Sequence, residues 1–215
     1  MKQKLHRYEI ACIILLFAAF ALVAWRVQVD GVTTIDSYVK SLVRSLQTES
    51  SLKFFSYFTK LGSAIGIVTI LIISLLIFFK KRYYVAMVVY PTAILITHLV
   101  NKGVKEIVKR DRPSLNEALD ALGYSFPSGH AMLSIITYGF LAYIIASNVK
   151  NRAGKIMITL IMAMQILLIG LSRIILSVHY PTDILAGYCL SGILLIMAIY
   201  FHRLLSERFG ENQER

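Results

Sequence analysis

Six uncharged apolar stretches, 10–25, 61–79, 83–100, 131–149, 156–171 and 184–201, alternate with short polar clusters along the chain. Each is near the roughly 20 residues that a helix needs to cross a hydrocarbon core. The pattern predicts six transmembrane helices, which puts both termini on one side. Between the first two stretches, Ile35, Tyr38, Val39, Leu42, Val43 and Leu46 recur at helical spacing, with Asp36, Lys40, Ser41, Arg44 and Ser45 on the other face. Thr33 with Asp36 has the form of a capping box at its start. An amphipathic helix covering the bundle is expected there, followed by an aromatic belt of Phe54, Phe55, Tyr57 and Phe58 where the chain re-enters lipid. The predicted fold class is all-α, a polytopic membrane helix bundle with six transmembrane helices and an outer amphipathic helix. There is no internal repeat, Pro-rich linker or low-complexity segment, so residues 1–215 read as one domain.

Composition strengthens this reading. A hydrophobic fraction of 57%, only 16% charged residues and a mean hydropathy of +0.66 exceed what a water-soluble domain of this length carries. The net charge of +11 is spread between apolar runs, with no basic block to present to nucleic acid. A membrane surface and an anionic ligand explain it better. Cys12 and Cys189 each lie inside an apolar run and are expected to be small buried hydrophobes without a disulfide.

Charge placement also orients the chain. Lys2, Lys4 and Arg7 precede the first span, Lys80, Lys81 and Arg82 join the second to the third, Lys150, Arg152 and Lys155 join the fourth to the fifth, and Arg203 and Arg208 follow the sixth. By the positive-inside rule these mark a cytoplasmic face and cytoplasmic termini. The opposite side holds Lys105, Lys109, Arg110, Arg112 and Arg173, but there the cations come with Glu106, Asp111, Glu117, Asp120 and Asp183. The first span has no small-x-small cleavage site before Arg26, and Trp25 reads as an interfacial anchor, so the span is expected to be retained.

Three polar clusters fall at the ends of spans on that opposite side. Ionisable groups so close to lipid are costly and are retained for function. Lys102, Lys105, Lys109 and Arg112 follow steps that place them on one helical stripe, which an anion would neutralise, and Pro113 is expected to end the helix at Arg112. Lys105 and Arg112 could grip oxygens of one phosphate. In the second cluster, Pro127-Ser128-Gly129-His130, Ser128 is placed to cap the fourth span. The backbone amides at that helix start suit an anion, Gly129 permits close approach, and His130 supplies a proton donor. In the third, Ser172-Arg173 is followed by His179-Tyr180-Pro181-Thr182-Asp183. Asp183, four residues after His179, can accept from one imidazole nitrogen and leave the other free to attack. His98 is expected to bond inside the bundle, whereas His6 and His202 read as solvated ends. No Cys or His pair has zinc spacing, so no metal and no cofactor are expected.

Together the clusters resemble the signature of the type 2 phosphatidic acid phosphatase superfamily, Lys-x6-Arg-Pro, Pro-Ser-Gly-His and Ser-Arg-x5-His-x3-Asp. Lys105, Arg112 and Pro113 meet the first element, Pro127 to His130 the second, and Ser172, Arg173, His179 and Asp183 the third. The resemblance implies a metal-independent lipid phosphatase in which His179, oriented by Asp183, attacks phosphorus and forms a phosphohistidine. His130 would protonate the departing alkoxide and then activate water. Lys105, Arg112, Arg173, Ser128 and the Gly129 amide would bind the nonbridging oxygens. Substrates in such a family include undecaprenyl diphosphate, phosphatidylglycerol phosphate, phosphatidic acid and diacylglycerol diphosphate; Lys102, Lys109 and Arg110, as extra cations, tilt the expectation toward a diphosphate. Two alternatives stay open: transfer of the phosphoryl or head group to another lipid at the same site, and anion transport. Transport does not predict paired histidines with a nearby carboxylate. The related vanadium-dependent haloperoxidases share the site pattern but are soluble. The oligomeric state is open.

Overall fold

The computed structural model describes residues 5–113 and 122–210. Among them are eight α-helices: α1 (Arg7–Asp30), α2 (Thr34–Arg44), α3 (Glu49–Phe58), α4 (Ala64–Lys81), α5 (Tyr84–Val108), α6 (Gly129–Ser147), α7 (Arg152–Ile175) and α8 (Pro181–Phe209), with a 3₁₀ turn (Thr59–Gly62) before α4. Six of these, α1 and α4 to α8, are long and apolar enough to cross a membrane. Each overlaps one of the six stretches predicted from the sequence, with shifted ends. Lys2, Lys4, Glu117 and Asp120 lie outside the described residues.

Helix α6 is the axis of the bundle, packing against α4, α5, α7 and α8. Its Phe140 stacks on Tyr90 of α5 with ring centroids 5.3 Å apart, in a core that also takes in Phe78, Ile136, Ile144 and Ala198. At one end, α8 comes very close to the first turn of α6: a Cβ on Gly187 would sit 3.1 Å from the Ser128 carbonyl oxygen and 3.1 Å from Ala131 Cβ. Helix α1 lies outside, against α8, and its Val27 packs with Phe126 and Ala186. Its outward position leaves Cys12 exposed, contrary to the expectation of burial, while Cys189 is buried as expected.

Several local expectations are corrected. Helix α2 exists and opens with the expected Thr33–Asp36 box, but its faces are turned. Asp36, assigned to the solvent face, is completely buried, whereas Ile35, Tyr38, Leu42 and Leu46 are exposed. Lipid can serve as the apolar partner for that stripe, which frees the carboxylate to seek a cation inside the protein. The aromatic belt is a separate helix, α3, and the following span starts at Ala64 after the 3₁₀ turn, not at Leu61. Helix α5 ends at Val108 with Lys109 in the left-handed conformation, so Lys109 and Arg112 leave the stripe that Lys102 and Lys105 occupy. His202 is fully buried between the rings of Phe140 and Tyr143, and His98 is exposed on α5. The last two reverse because the interior of a membrane bundle is where a polar ring needs a partner, and Tyr143 Oη lies 3.3 Å from His202 Nδ1.

Candidate active site

The carboxyl end of α5, the amino end of α6, the carboxyl end of α7 and the amino end of α8 converge at one end of the bundle. The links at 82–83 and 148–151 lie at the other. Helix α7 delivers Arg173 in its last turn, fully buried, with its NH1 donating to Thr59 Oγ1 of the 3₁₀ turn at 2.9 Å. The chain then reverses tightly. Ser177 adopts a φ of 55°, and the amides of Val178 and His179 both donate to the Arg173 carbonyl, at 3.1 and 3.2 Å. This reversal fixes His179 just before Pro181 opens α8.

Asp183, in the first turn of α8, accepts from the Tyr180 amide at 2.9 Å and lies 3.2 Å from His179 Nδ1 through the same oxygen, Oδ2. With Nδ1 donating to the carboxylate, the lone pair of the neutral ring is on Nε2. That nitrogen is 2.9 Å from Arg112 NH1. Arg112 is held in turn by the carbonyls of Gly123, Leu122 and Val178. The predicted pairing of His179 with Asp183 is therefore present, and Arg112 meets it from the other side of the ring.

The Pro-Ser-Gly-His cluster joins this arrangement through the backbone. The Ser128 amide donates to the Asp183 carbonyl at 3.1 Å, and Ser128 caps α6 by accepting from the Ala131 amide at 3.4 Å. Phe126-Pro127 is a cis peptide. Asn101 of α5 donates to the Pro127 carbonyl at 3.0 Å, and a Cβ on Gly129 would come 3.2 Å from Asn101 Oδ1. Gly129 thus permits close approach of a side chain from α5 as well as suiting the helix start. His130 is more than nine-tenths buried, and its Nε2 has no hydrogen-bond partner among the described residues. Lys105 donates to the Tyr124 carbonyl at 2.8 Å. It, Arg112 and Arg173 lie within electrostatic reach of both His130 and His179. All eight predicted site residues, Lys105, Arg112, Ser128, Gly129, His130, Arg173, His179 and Asp183, are gathered at this end.

Arg110 does something the sequence did not suggest. It is buried, and its NH1 donates to Asp183 Oδ1 at 2.6 Å and to Thr182 Oγ1 at 2.8 Å. Its NH2 donates to Asp36 Oδ2 at 2.6 Å and to the Gly31 carbonyl at 2.7 Å, and the Tyr180 ring lies 4.1 Å from the guanidinium carbon. Asp36 also accepts from the amide and hydroxyl of Thr182. Arg110 is thus committed to two carboxylates and is withdrawn from the set expected to hold a second phosphate; Lys102 and Lys109 are exposed. Nothing in the sequence signals this: the turn that separates Arg110 from its cationic neighbours is made by Lys109 in a left-handed conformation, which a lysine does not announce. Arg110, Asp36, Thr182 and Asn101 are the residues that motif spacing missed.

Burial holds the His179 imidazole well below the usual histidine range, and the positive charges of Arg112, Arg173 and Lys105 push in the same direction. The ring is neutral at ordinary pH, the form with a lone pair to offer.

The fold and this end of the bundle define a polytopic membrane protein built around a carboxylate-oriented imidazole, a second imidazole and converging cations. Residues 85–206 match the family model of the PAP2 superfamily, and the chain belongs to that superfamily, as a membrane phosphatase of its kind. It is 26% identical over 189 residues to phosphatidylglycerophosphatase B of Bacillus subtilis, covering 86% of this chain and 91% of the relative. In three dimensions it resembles the crystal structure of the transmembrane PAP2 type phosphatidylglycerolphosphate phosphatase from Bacillus subtilis, with a TM-score of 0.79 and 24% identity over 89% of this chain and 96% of that one. Aquifex aeolicus LpxE shares the fold at a TM-score of 0.58 and 23% identity, over 78% and 96% of the two chains.

Proposed function

We propose that this protein hydrolyses the terminal phosphate of a membrane lipid phosphate or diphosphate, at the extracytoplasmic face and without a metal, through a phosphohistidine on His179. The observation that carries the reading is the state of that ring: Nδ1 is held by Asp183 and Nε2 faces the guanidinium of Arg112. Arg112 NH1 occupies the line along which phosphorus would approach Nε2. When a phosphate arrives, its nonbridging oxygens take over the guanidinium, and charge that had faced the imidazole comes to stabilise the pentacoordinate centre.

The Nε2 lone pair forms a bond to phosphorus while the bond to the lipid oxygen breaks, and that oxygen takes a proton from His130 Nε2, which the ring holds once the negative charge of the bound phosphate offsets Lys105, Arg112 and Arg173. His130, now neutral, accepts a proton from water. The water oxygen bonds to phosphorus, the nitrogen–phosphorus bond breaks, and the electron pair returns to His179. Lys105 and Arg173 balance the charge of the phosphate through both steps. The buried, unpartnered Nε2 of His130 suits a group that exchanges its proton with a bound molecule.

The orientation follows from charge. Lys80, Lys81 and Arg82 form a short cationic link at the end opposite the site, so the positive-inside rule puts both termini in the cytoplasm and the site outside. Undecaprenyl diphosphate and phosphatidylglycerol phosphate are the favoured substrates, the second in keeping with the Bacillus subtilis relative. With Arg110 committed elsewhere, the preference for a diphosphate rests on Lys102 and Lys109 alone. A panel of lipid phosphates and diphosphates assayed for phosphate release in chelator tests the whole reading. Wild type is expected to release phosphate, with His179→Ala slower by about 10⁴-fold or more. Absence of release, or its loss on adding chelator, would overturn it.

A further inference from the structure

A cavity of about 450 Å³ opens beside His130, between α4 and the segment formed by α3 and the 3₁₀ turn. Ser56 and Lys60 stand on one wall, and Gly66, Thr69 and Ile70 of α4 on the other. Neither His179, Arg112 nor Asp183 lines it; His130 does, together with Thr59, the residue that accepts from Arg173, so the cavity meets the site on the side away from His179. Two glycines shape this corner: a Cβ on Gly62 would sit 3.1 Å from His130 Cδ2, and one on Gly66 would collide with the Lys60 carbonyl at 2.0 Å. Ile65, 81% exposed on α4, stands at its outer edge, where a membrane would supply lipid.

We infer that this cavity receives the alcohol moiety of the substrate, the part of the lipid that begins at the leaving oxygen and continues into the hydrocarbon tail. The inference rests on the phosphatase reading above and says where the rest of the lipid goes. In an in-line displacement the nucleophile and the leaving oxygen lie on opposite sides of phosphorus. With attack from His179, the leaving oxygen is on the side of the proton donor. His130 is that donor, and it lies against this cavity with Nε2 buried and unpartnered among the described residues. Everything bonded to the leaving oxygen must extend from there. The walls suit that occupant: Ser56 and Thr69 match a glycerol or another polar head group, and Ile65 and Ile70 match the first carbons of a chain. The lipid then enters sideways between the 3₁₀ turn and α4, never leaving the bilayer with its tail.

Ser56→Trp and Thr69→Trp, which fill the cavity from opposite walls, test this. The readout is the ratio of kcat/KM for a long-chain lipid phosphate to that for p-nitrophenyl phosphate, whose leaving group is small and needs no membrane tail. Each variant is expected to lower that ratio at least 10-fold relative to wild type. A ratio unchanged in both well-folded variants, whether both activities fall together or neither falls, would overturn the assignment of the cavity. If one variant fails to fold, the other decides, and a benzophenone amino acid at position 69 should crosslink to the lipid; no crosslink at that position also counts against it. Wild type inactive on both substrates would instead strike at the phosphatase reading.

Discussion

Arg110 donates to Asp183 Oδ1 at 2.6 Å, while the other carboxylate oxygen faces His179. The carboxylate that orients the imidazole is thus itself oriented, by a cation whose second amine group is bound to Asp36 in an outer helix far away in sequence. Arg110 and both carboxylates are buried, and removing the partner of a buried charge costs about 3–5 kcal/mol. Arg110→Met, which strands two carboxylates, is expected to lower thermal stability sharply and to reduce kcat by roughly 100-fold or more in the fraction that folds. Arg110→Lys should recover part of the stability. Unfolding temperatures with and without phosphate release check both, and an Arg110→Met protein of wild-type stability and turnover would contradict the role.

Asp36→Asn removes one charge but keeps the shape of the side chain. Because Arg110 retains Asp183, we expect a smaller effect on kcat than from Arg110→Met, with KM little changed. Steady-state kinetics on a lipid phosphate distinguish the two; equal losses from both would mean that Asp36, and not Arg110, governs the orientation of Asp183.

If His179 is the nucleophile, as proposed, the enzyme should remain active in mild acid. Burial first, then Arg112, Arg173 and Lys105, hold His179 well below its ordinary value of about 6.5, so the acid limb of kcat/KM that belongs to this ring lies below that value. Arg112→Ala removes a positive charge, which favours the imidazolium and raises the pKa. The acid limb is then expected to move to higher pH, in addition to the overall loss of rate. A limb that stayed in place, or moved to lower pH, would show that the cation does not control this ring.

Asn101 tests the link between α5 and the Pro-Ser-Gly-His turn. Asn101→Ala leaves the buried Pro127 carbonyl without its donor, a loss of about 1–3 kcal/mol. Turnover is expected to fall more than binding, because the turn carries His130, and thermal unfolding together with kcat and KM measures the split.

Much of this architecture is legible in sequence for a physical reason: in lipid every span must be apolar, so the spans stand out, and charged residues at their ends are conspicuous. Six of the eight predicted site residues are ionisable and belong to that conspicuous set, and Ser128 and Gly129 stand beside His130 in the same cluster. What escaped depends on tertiary partners. Helical periodicity places Asp36 on a solvent face because it separates polar from apolar but cannot say that lipid, not protein, takes the apolar stripe. Arg110 looks like its cationic neighbours because charge sign is visible in a sequence and commitment to a buried carboxylate is not. The end of α5 is hidden in the sequence because its cap is a lysine in a left-handed conformation, where a glycine would announce it. His202 has the sequence position of a solvated residue, at the end of an apolar stretch, but α8 continues to Phe209 and carries it into the core.

The central claim is that His179 Nε2 takes the phosphoryl group and His130 handles the protons. The most direct measurement is to trap the intermediate with radiolabelled p-nitrophenyl phosphate, whose phenoxide departs without an acid, in a His130→Ala background that cannot activate water. Label stable in alkali, labile in acid and confined to the peptide containing His179 is predicted, and it should vanish when His179→Ala is added. Label on another residue, or none while wild-type turnover is normal, would contradict the account.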